Sequence, residues 1–109
     1  MFAVGDVVMW KSQSKGFKTM KEGIIVAVVP LGTCPLEDYY CKTYSHNLMK
    51  LLGPDWHKRY SAKKLGGGGP RGTDSYLVNV KGYLYWPHVR NLVRTGRRED
   101  AKTQLVPAL

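Results

Sequence analysis

Apolar residues recur along this chain in short β-branched and aromatic runs bounded by Gly, Asp and Pro, first from Val4 to Val29 and again from Asp74 to Trp86. Such runs read as strands of a small antiparallel barrel. Asp6 to Ser12 alternates so that Val8 and Trp10 share one face while Val7 and Met9 share the other. Both faces are apolar, so the alternation leaves open which one looks inward. Glu22 to Val29 is almost continuously apolar, as suits a central strand covered on both faces for part of its length. Gly23 permits a bulge or bend before that run, and Pro30 with Gly32 ends it. Between the two runs, residues 12–21 read as a polar, basic hairpin loop carrying two apolar residues. Tyr76 to Val80 forms a further strand, Lys81-Gly82 a tight turn, and Tyr83 to Trp86 a returning strand that Pro87 ends. His88 to Val93 reads as either a short 3₁₀ turn or a final strand, with Val89, Leu92 and Val93 docking on the barrel. Residues 95–109 read as a polar tail.

Residues 33–73 break the β pattern. Ser45 caps a predicted helix over His46 to Leu52, whose apolar face is Leu48, Met49, Leu51 and Leu52, and Gly53-Pro54 stops it. Asp55 caps a second predicted helix over Trp56 to Leu65, with Trp56 and Tyr60 at i, i+4 on one side and Lys58, Arg59, Lys63 and Lys64 over much of the rest. The four glycines 66–69 and Pro70 then read as a linker, because consecutive glycines carry high backbone entropy.

The chain has 109 residues, of which 43% are hydrophobic, enough for one domain with one modest core. Its longest apolar stretch, Ile24 to Val29, is strand length and far short of the roughly 20 residues that cross a bilayer. Met1 to Asp6 lacks the basic and apolar regions of a signal peptide, so a cytoplasmic location is expected, with Cys34 and Cys41 as free thiols. The net charge is +9, unevenly placed. Residues 1–41 hold four Lys and four acids and sum to zero; residues 42–98 hold six Lys and six Arg against Asp55 and Asp74, a net +10. A positive field confined to one part of a chain favours nucleic acid or another polyanionic surface over a merely soluble one.

Val4-Gly5-Asp6-Val7-Val8-Met9-Trp10, Glu22-Gly23-Ile24-Ile25-Val26-Ala27-Val28 and Tyr76-Leu77-Val78-Asn79-Val80 resemble the strand order of SH3-like barrels of the KOW and Tudor type. The Ser75 to Pro87 segment also resembles small uncharacterised proteins of bacteriophages and prophages. The likeness covers residues 4–32 and 74–93, and the insert 33–73 has no counterpart in it. It implies an α+β, mainly β domain: a small SH3-like antiparallel barrel with a basic, partly helical insert between strands two and three. It also implies a binding module for RNA, DNA or protein, and no catalysis. A phage-type origin implies a second reading, an anti-defence protein such as an anti-CRISPR-like inhibitor that docks on a host nuclease complex, with Leu51, Leu52, Trp56 and the apolar tail as candidate anchors.

The candidate contacts to a nucleic acid or a host nucleoprotein are Lys58, Arg59, Lys63, Lys64 and Arg71 in and beside the insert, and Arg90, Arg94, Arg97 and Arg98 after the last hairpin. Lys and Arg supply sequence-independent affinity through phosphates, and Trp56 and Tyr60 are the aromatic faces on which bases would stack. For those two rings, packing into a small core is the stronger expectation. Cys34, Cys41, His46 and His57 form the only metal-like set, but their C-x6-C-x4-H-x10-H spacing lacks the close ligand pairs of zinc sites, so no metal and no cofactor are expected. Cys41 with His46, or Asp55 with His57, fall short of a catalytic dyad on spacing alone. The tetraglycine lacks the following Lys-Ser/Thr of a phosphate loop. Trp10, Tyr83, Tyr85 and Trp86 could line a cation cage of the Tudor kind, although core packing and cross-strand pairing are the stronger expectation.

Overall fold

A computed structural model of the chain describes residues 2–14, 16–35, 45–65 and 71–98. Strand β1 (Asp6–Ser14) pairs antiparallel with β2 (Phe17–Val29) from Val7↔Ile24 to the closing pair Ser14↔Phe17. The two strands are thus longer than the sequence suggests. Residues 12–21, read as a loop, continue both strands up to a two-residue connection whose Gly16 has φ +83°. Only that connection needs a left-handed residue, so the polar character of the segment marks exposure and not irregular backbone. β2 also pairs with β3 (Ser75–Val80), β3 with β4 (Tyr83–Tyr85), and β1 with β5 (Val93–Arg98), all antiparallel, in the order β4-β3-β2-β1-β5. The sheet is open: no pairing joins β4 to β5 among the described residues.

The β3–β4 connection is the tight turn expected. Lys81 (φ 53°) and Gly82 (φ 90°) both lie in the left-handed region, and the Gly82 N–H donates to Asn79 Oδ1 at 2.8 Å. After Pro87 the 3₁₀ alternative holds over Val89–Asn91, and what read as a polar tail then enters the sheet as β5. Of the residues expected to dock there, Leu92 is buried and Val89 packs against the core, but Val93 is 56% exposed. Residues 99–109, including the apolar end of the chain, lie outside the described residues.

In the insert, α1 (Ser45–Leu52) forms where expected and ends at Gly53 (φ 97°), whose N–H donates to the Met49 carbonyl. The second helix is a single turn, α2 (Trp56–Arg59), and not the ten residues to Leu65 that the sequence predicts. Tyr60 is extended (φ −132°, ψ 154°), and Ser61 bridges parallel to Tyr83. The Ser61 N–H donates to Gly82 O, and the Leu84 N–H to Ser61 O. Edge-strand backbone of β4 has unmet donors and acceptors, and pairing them outweighs the weak helical preference of so short a segment.

The sheet buries apolar side chains on both faces, which the alternation in β1 left open. One cluster holds Val8, Trp10, Ile25, Tyr76, Val78 and Leu92. The other joins Ala27, Val29, Leu77, Leu84 and Trp86 of the sheet to Leu48, Tyr60 and Leu65 of the insert. The insert is therefore a cover for the second face of the sheet. Its neck is closed where the Leu31 N–H donates to Asp74 Oδ1 (2.9 Å) and the Gly32 N–H to Arg71 O (2.8 Å). No helix among the described residues is long and apolar enough to cross a membrane.

Candidate binding surface

The cations singled out in the sequence fall into three groups, with Arg90 apart from all of them, and Lys50, which the sequence reading did not include, joins the first group. The first is on the insert. Because Leu48, Tyr60 and Leu65 face the sheet, Lys50, Lys58, Lys63 and Lys64 are left on the exposed side. Asp55 is the only acid within residues 45–65, and it lies 3.8 Å from Lys58 Nζ with both side chains about 70% exposed (71% and 69%). An ion pair so open to water is weak and leaves Lys58 available. Lys50, Lys63 and Lys64 form no ion pair among the described residues. Arg59 is exposed but occupied: its Nη2 donates to Leu52 O at 2.7 Å, which caps the carbonyl end of α1, and its guanidinium lies 5.6 Å from the Tyr60 ring centroid.

The second group surrounds Asp6, a carboxylate that is only 6% exposed. Its Oδ2 accepts from the Ala3 N–H at 2.9 Å, its Oδ1 from Arg98 Nη1 at 2.8 Å, and Arg94 Nε lies 3.9 Å from it. Arg94 also sits 4.9 Å over the Phe2 ring, and Arg98 donates to Val4 O at 3.0 Å. Arg97 pairs with Glu22 on β2. These three arginines, expected as partner contacts after the last hairpin, link β5 to β1, β2 and the start of the chain, while their own side chains stay 52%, 54% and 64% exposed. Arg90 stands apart from them on the exposed 3₁₀ turn.

Arg71 makes up the third group, and it is a half-buried brace. Nη1 donates to Pro87 O and Nη2 to Trp86 O, each at 2.7 Å, and the guanidinium stacks 3.7 Å from the Trp86 ring centroid. Burial lowers its pKa, with Cys34 acting in the opposite direction. Both terminal nitrogens of the guanidinium are thus engaged by backbone carbonyls, and one face of it by the Trp86 ring.

Of the two insert aromatics singled out, Tyr60 is closed off and Trp56 is partly so. Tyr60 is 7% exposed within the second cluster, and Trp56 is half-buried against it together with Leu51 and Leu52. The rings of Trp10, Tyr83, Tyr85 and Trp86 divide between the two faces and form no cage. Trp10 and Tyr85 meet edge to face at 5.8 Å in the first cluster, Trp86 belongs to the second, and Tyr83 is 41% exposed. His57 is exposed and Cys34 half-buried, while Cys41 and the His46 side chain lie outside the described residues.

Burial raises the Tyr60 hydroxyl above its ordinary value, against an opposing pull from Arg59. A raised acid pKa stabilises the fold below the unfolded value of about 10 and loses that contribution as pH climbs through it. Urea midpoints measured from pH 8 to 11 should therefore fall more steeply for the parent chain than for Tyr60→Phe. Equal slopes would show that Tyr60 ionises as freely in the fold as out of it.

Sequence reasoning missed Asp6 and Glu22 as the arginines' partners. Asp6 and Arg98 are 92 residues apart, and no local pattern links them. No known protein family, curated protein or solved structure matches this chain.

Proposed function

We propose that this protein is a non-enzymatic binding module that grips a nucleic-acid backbone with the outer side of its insert. The observation that carries the reading is the division of labour within residues 45–65. Apolar side chains close the second face of the sheet, and Lys50, Lys58, Lys63 and Lys64 stand exposed with Asp55 as their only acid. Lysines on a rigid, packed support offer phosphates a positive surface at little ordering cost. The arginines of β5 and Arg71 serve the fold, and Arg59 serves the insert. Tyr60 is buried and Trp56 half-buried beside these lysines, which favours contact with phosphates over stacking of bases.

The finer architectural reading, an SH3-like barrel, draws support from the meander β1 to β4, the 3₁₀ turn before β5, and the return of β5 to β1. Such small β modules carry binding surfaces on loops and inserts far more often than reaction centres.

The test is a salt series with single-stranded and duplex oligonucleotides. Three to four phosphate contacts give a log–log slope of about −2 to −3 on single strands. Replacing Lys58, Lys63 and Lys64 together by Gln should weaken binding about tenfold or more at low salt and flatten that slope. Arg97→Gln, which removes a cation that already faces Glu22, should change both less than the triple replacement does. Binding that ignores salt, or its absence, would refute the reading. Capture of one bacterial protein that survives nuclease treatment would favour the inhibitor alternative.

A further inference from the structure

β5 accompanies β1 only as far as the pair Met9↔Val93, whereas β1 runs on to Ser14 in register with β2. Beyond Met9 the outer edge of β1 carries no strand among the described residues. Every second residue of an antiparallel strand turns its N–H and C=O away from its one neighbour. The edge from Trp10 to Ser14 thus presents an open set of backbone donors and acceptors.

This edge borders a groove of about 370 Å³ between the β1–β2 ribbon and the start of β5, lined by Trp10, Lys11, Lys18, Met20, Asn91 and Val93 among others. By register, Lys11↔Met20 and Met9↔Val93 lie on one face of the sheet. Met20 is 51% and Val93 56% exposed, two of the largest exposures among the apolar residues. Lys11 and Lys18 are exposed beside them, and among the described residues no acid lines the groove. The acid nearest by register, Glu22, is held by Arg97.

We infer that this groove binds an extended acidic peptide segment carrying an apolar anchor residue, which adds to the sheet as a strand along Trp10–Ser14. Unpaired backbone selects an extended chain, and alternate side-chain positions give it specificity. Lys11 and Lys18 select carboxylates. Met20 and Val93 select an apolar side chain. Nucleic acid would leave the backbone edge and the apolar pair unused, and Trp10, 5% exposed, offers its bases no platform. A second copy of this chain would set lysine against lysine. The site uses none of the insert's lysines and stands independently of the function proposed above.

The test is an amide NMR titration of the isotope-labelled chain with the capped heptapeptide Asp-Glu-Val-Glu-Leu-Glu-Asp. A second arm uses the same peptide N-methylated at alternate amides, and a third replaces its acids by Lys. Saturable shifts confined to residues 10–14, 18–20 and 91–93 are expected. Affinity should fall at least tenfold for the N-methylated peptide, for the Lys peptide, and for the K11E/K18E double variant. The two peptide arms leave the protein untouched, so they decide the matter even if the variant misfolds. Absence of saturable binding, equal binding of the N-methylated or Lys peptide, or shifts centred on residues 58–64 would each overturn the inference, as would an oligothymidylate that displaces the peptide.

Discussion

Gly23→Ala is expected to cost about 4 kcal/mol or more of the folding free energy. Gly23 sits on β2 opposite Val8, with β3 pressed against its other side. A Cβ placed there would lie 2.5 Å from the Asn79 carbonyl oxygen and 2.8 Å from both Val78 Cγ1 and Val80 Cγ2. The closest of these is backbone of a strand paired on both sides, and it cannot yield unless β3 moves away from β2. That movement would also disturb Ile25 and Val78 in the first cluster and Leu77 in the second. Insertion of a methyl group against a backbone that cannot relax belongs to the rare class of single changes costing about 4 kcal/mol or more. For a domain of ordinary stability this removes a large share of the total, and the melting temperature should drop by about 15 to 30 °C. Gly16→Ala serves as the contrast: nothing lies within 4 Å of its Cβ, and its cost comes only from a φ of +83°. Differential scanning calorimetry of the two variants checks the expectation. A Gly23→Ala chain that melts within a few degrees of the parent would mean that the two strands do not approach so closely.

Arg71→Ala should be the next most damaging change, although a basic residue beside a tetraglycine reads as a surface contact. Its guanidinium ties the return of the insert to the end of β4 through the Trp86 and Pro87 carbonyls. Its own carbonyl holds Gly32 at the end of β2, and Trp86 Nε1 reaches Ser75 Oγ at the start of β3 at 2.7 Å. Loss of two charge-assisted hydrogen bonds and a close cation–π contact should cost about 2 to 4 kcal/mol. Arg71→Lys should recover less than half of it, because an ammonium cannot span two neighbouring carbonyls as a planar fork does. Chemical denaturation followed by tryptophan fluorescence reports this directly. The variant that stays folded should keep the parent's salt slope on oligonucleotides, which separates bracing from phosphate contact. A stability change within about 0.5 kcal/mol, the range of ordinary surface substitutions, would return Arg71 to the surface set.

The structure also alters the meaning of Gly23. As a strand-opening glycine it suggests a bulge, yet the irregularity in the β2–β3 pairing falls between Ile25 and Ala27. Gly23 is needed for the closeness of a neighbouring strand, a property of a surface some 55 residues further along the chain (Val78 to Val80) and invisible in its own surroundings. The insert's lysines were legible as a candidate surface because Trp56, Tyr60 and Leu65 interleave with them. The arginines were not legible as braces, since a run of Arg reads the same whether or not a distant carboxylate meets it. The groove beside β1 escaped notice because residues 12–21 looked like a loop.

What the sequence determined by itself is the apolar cores of β1 to β4, the Lys81-Gly82 turn, the first helix with its glycine stop, and the place of the insert between β2 and β3. Each of these is set by the conformational limits of residues next to one another: β-branching, positive φ, and the 3.6- and 2-residue periods. The tertiary structure alone decided which cations remain open to a partner, that the insert roofs the second face of the sheet, that Ser61 extends the edge of β4 instead of continuing a helix, and that β5 stops short of the end of β1. Those outcomes depend on which donors, acceptors and charges meet across long separations in the chain, and the free energy of such meetings is a property of the packed assembly and of no segment within it.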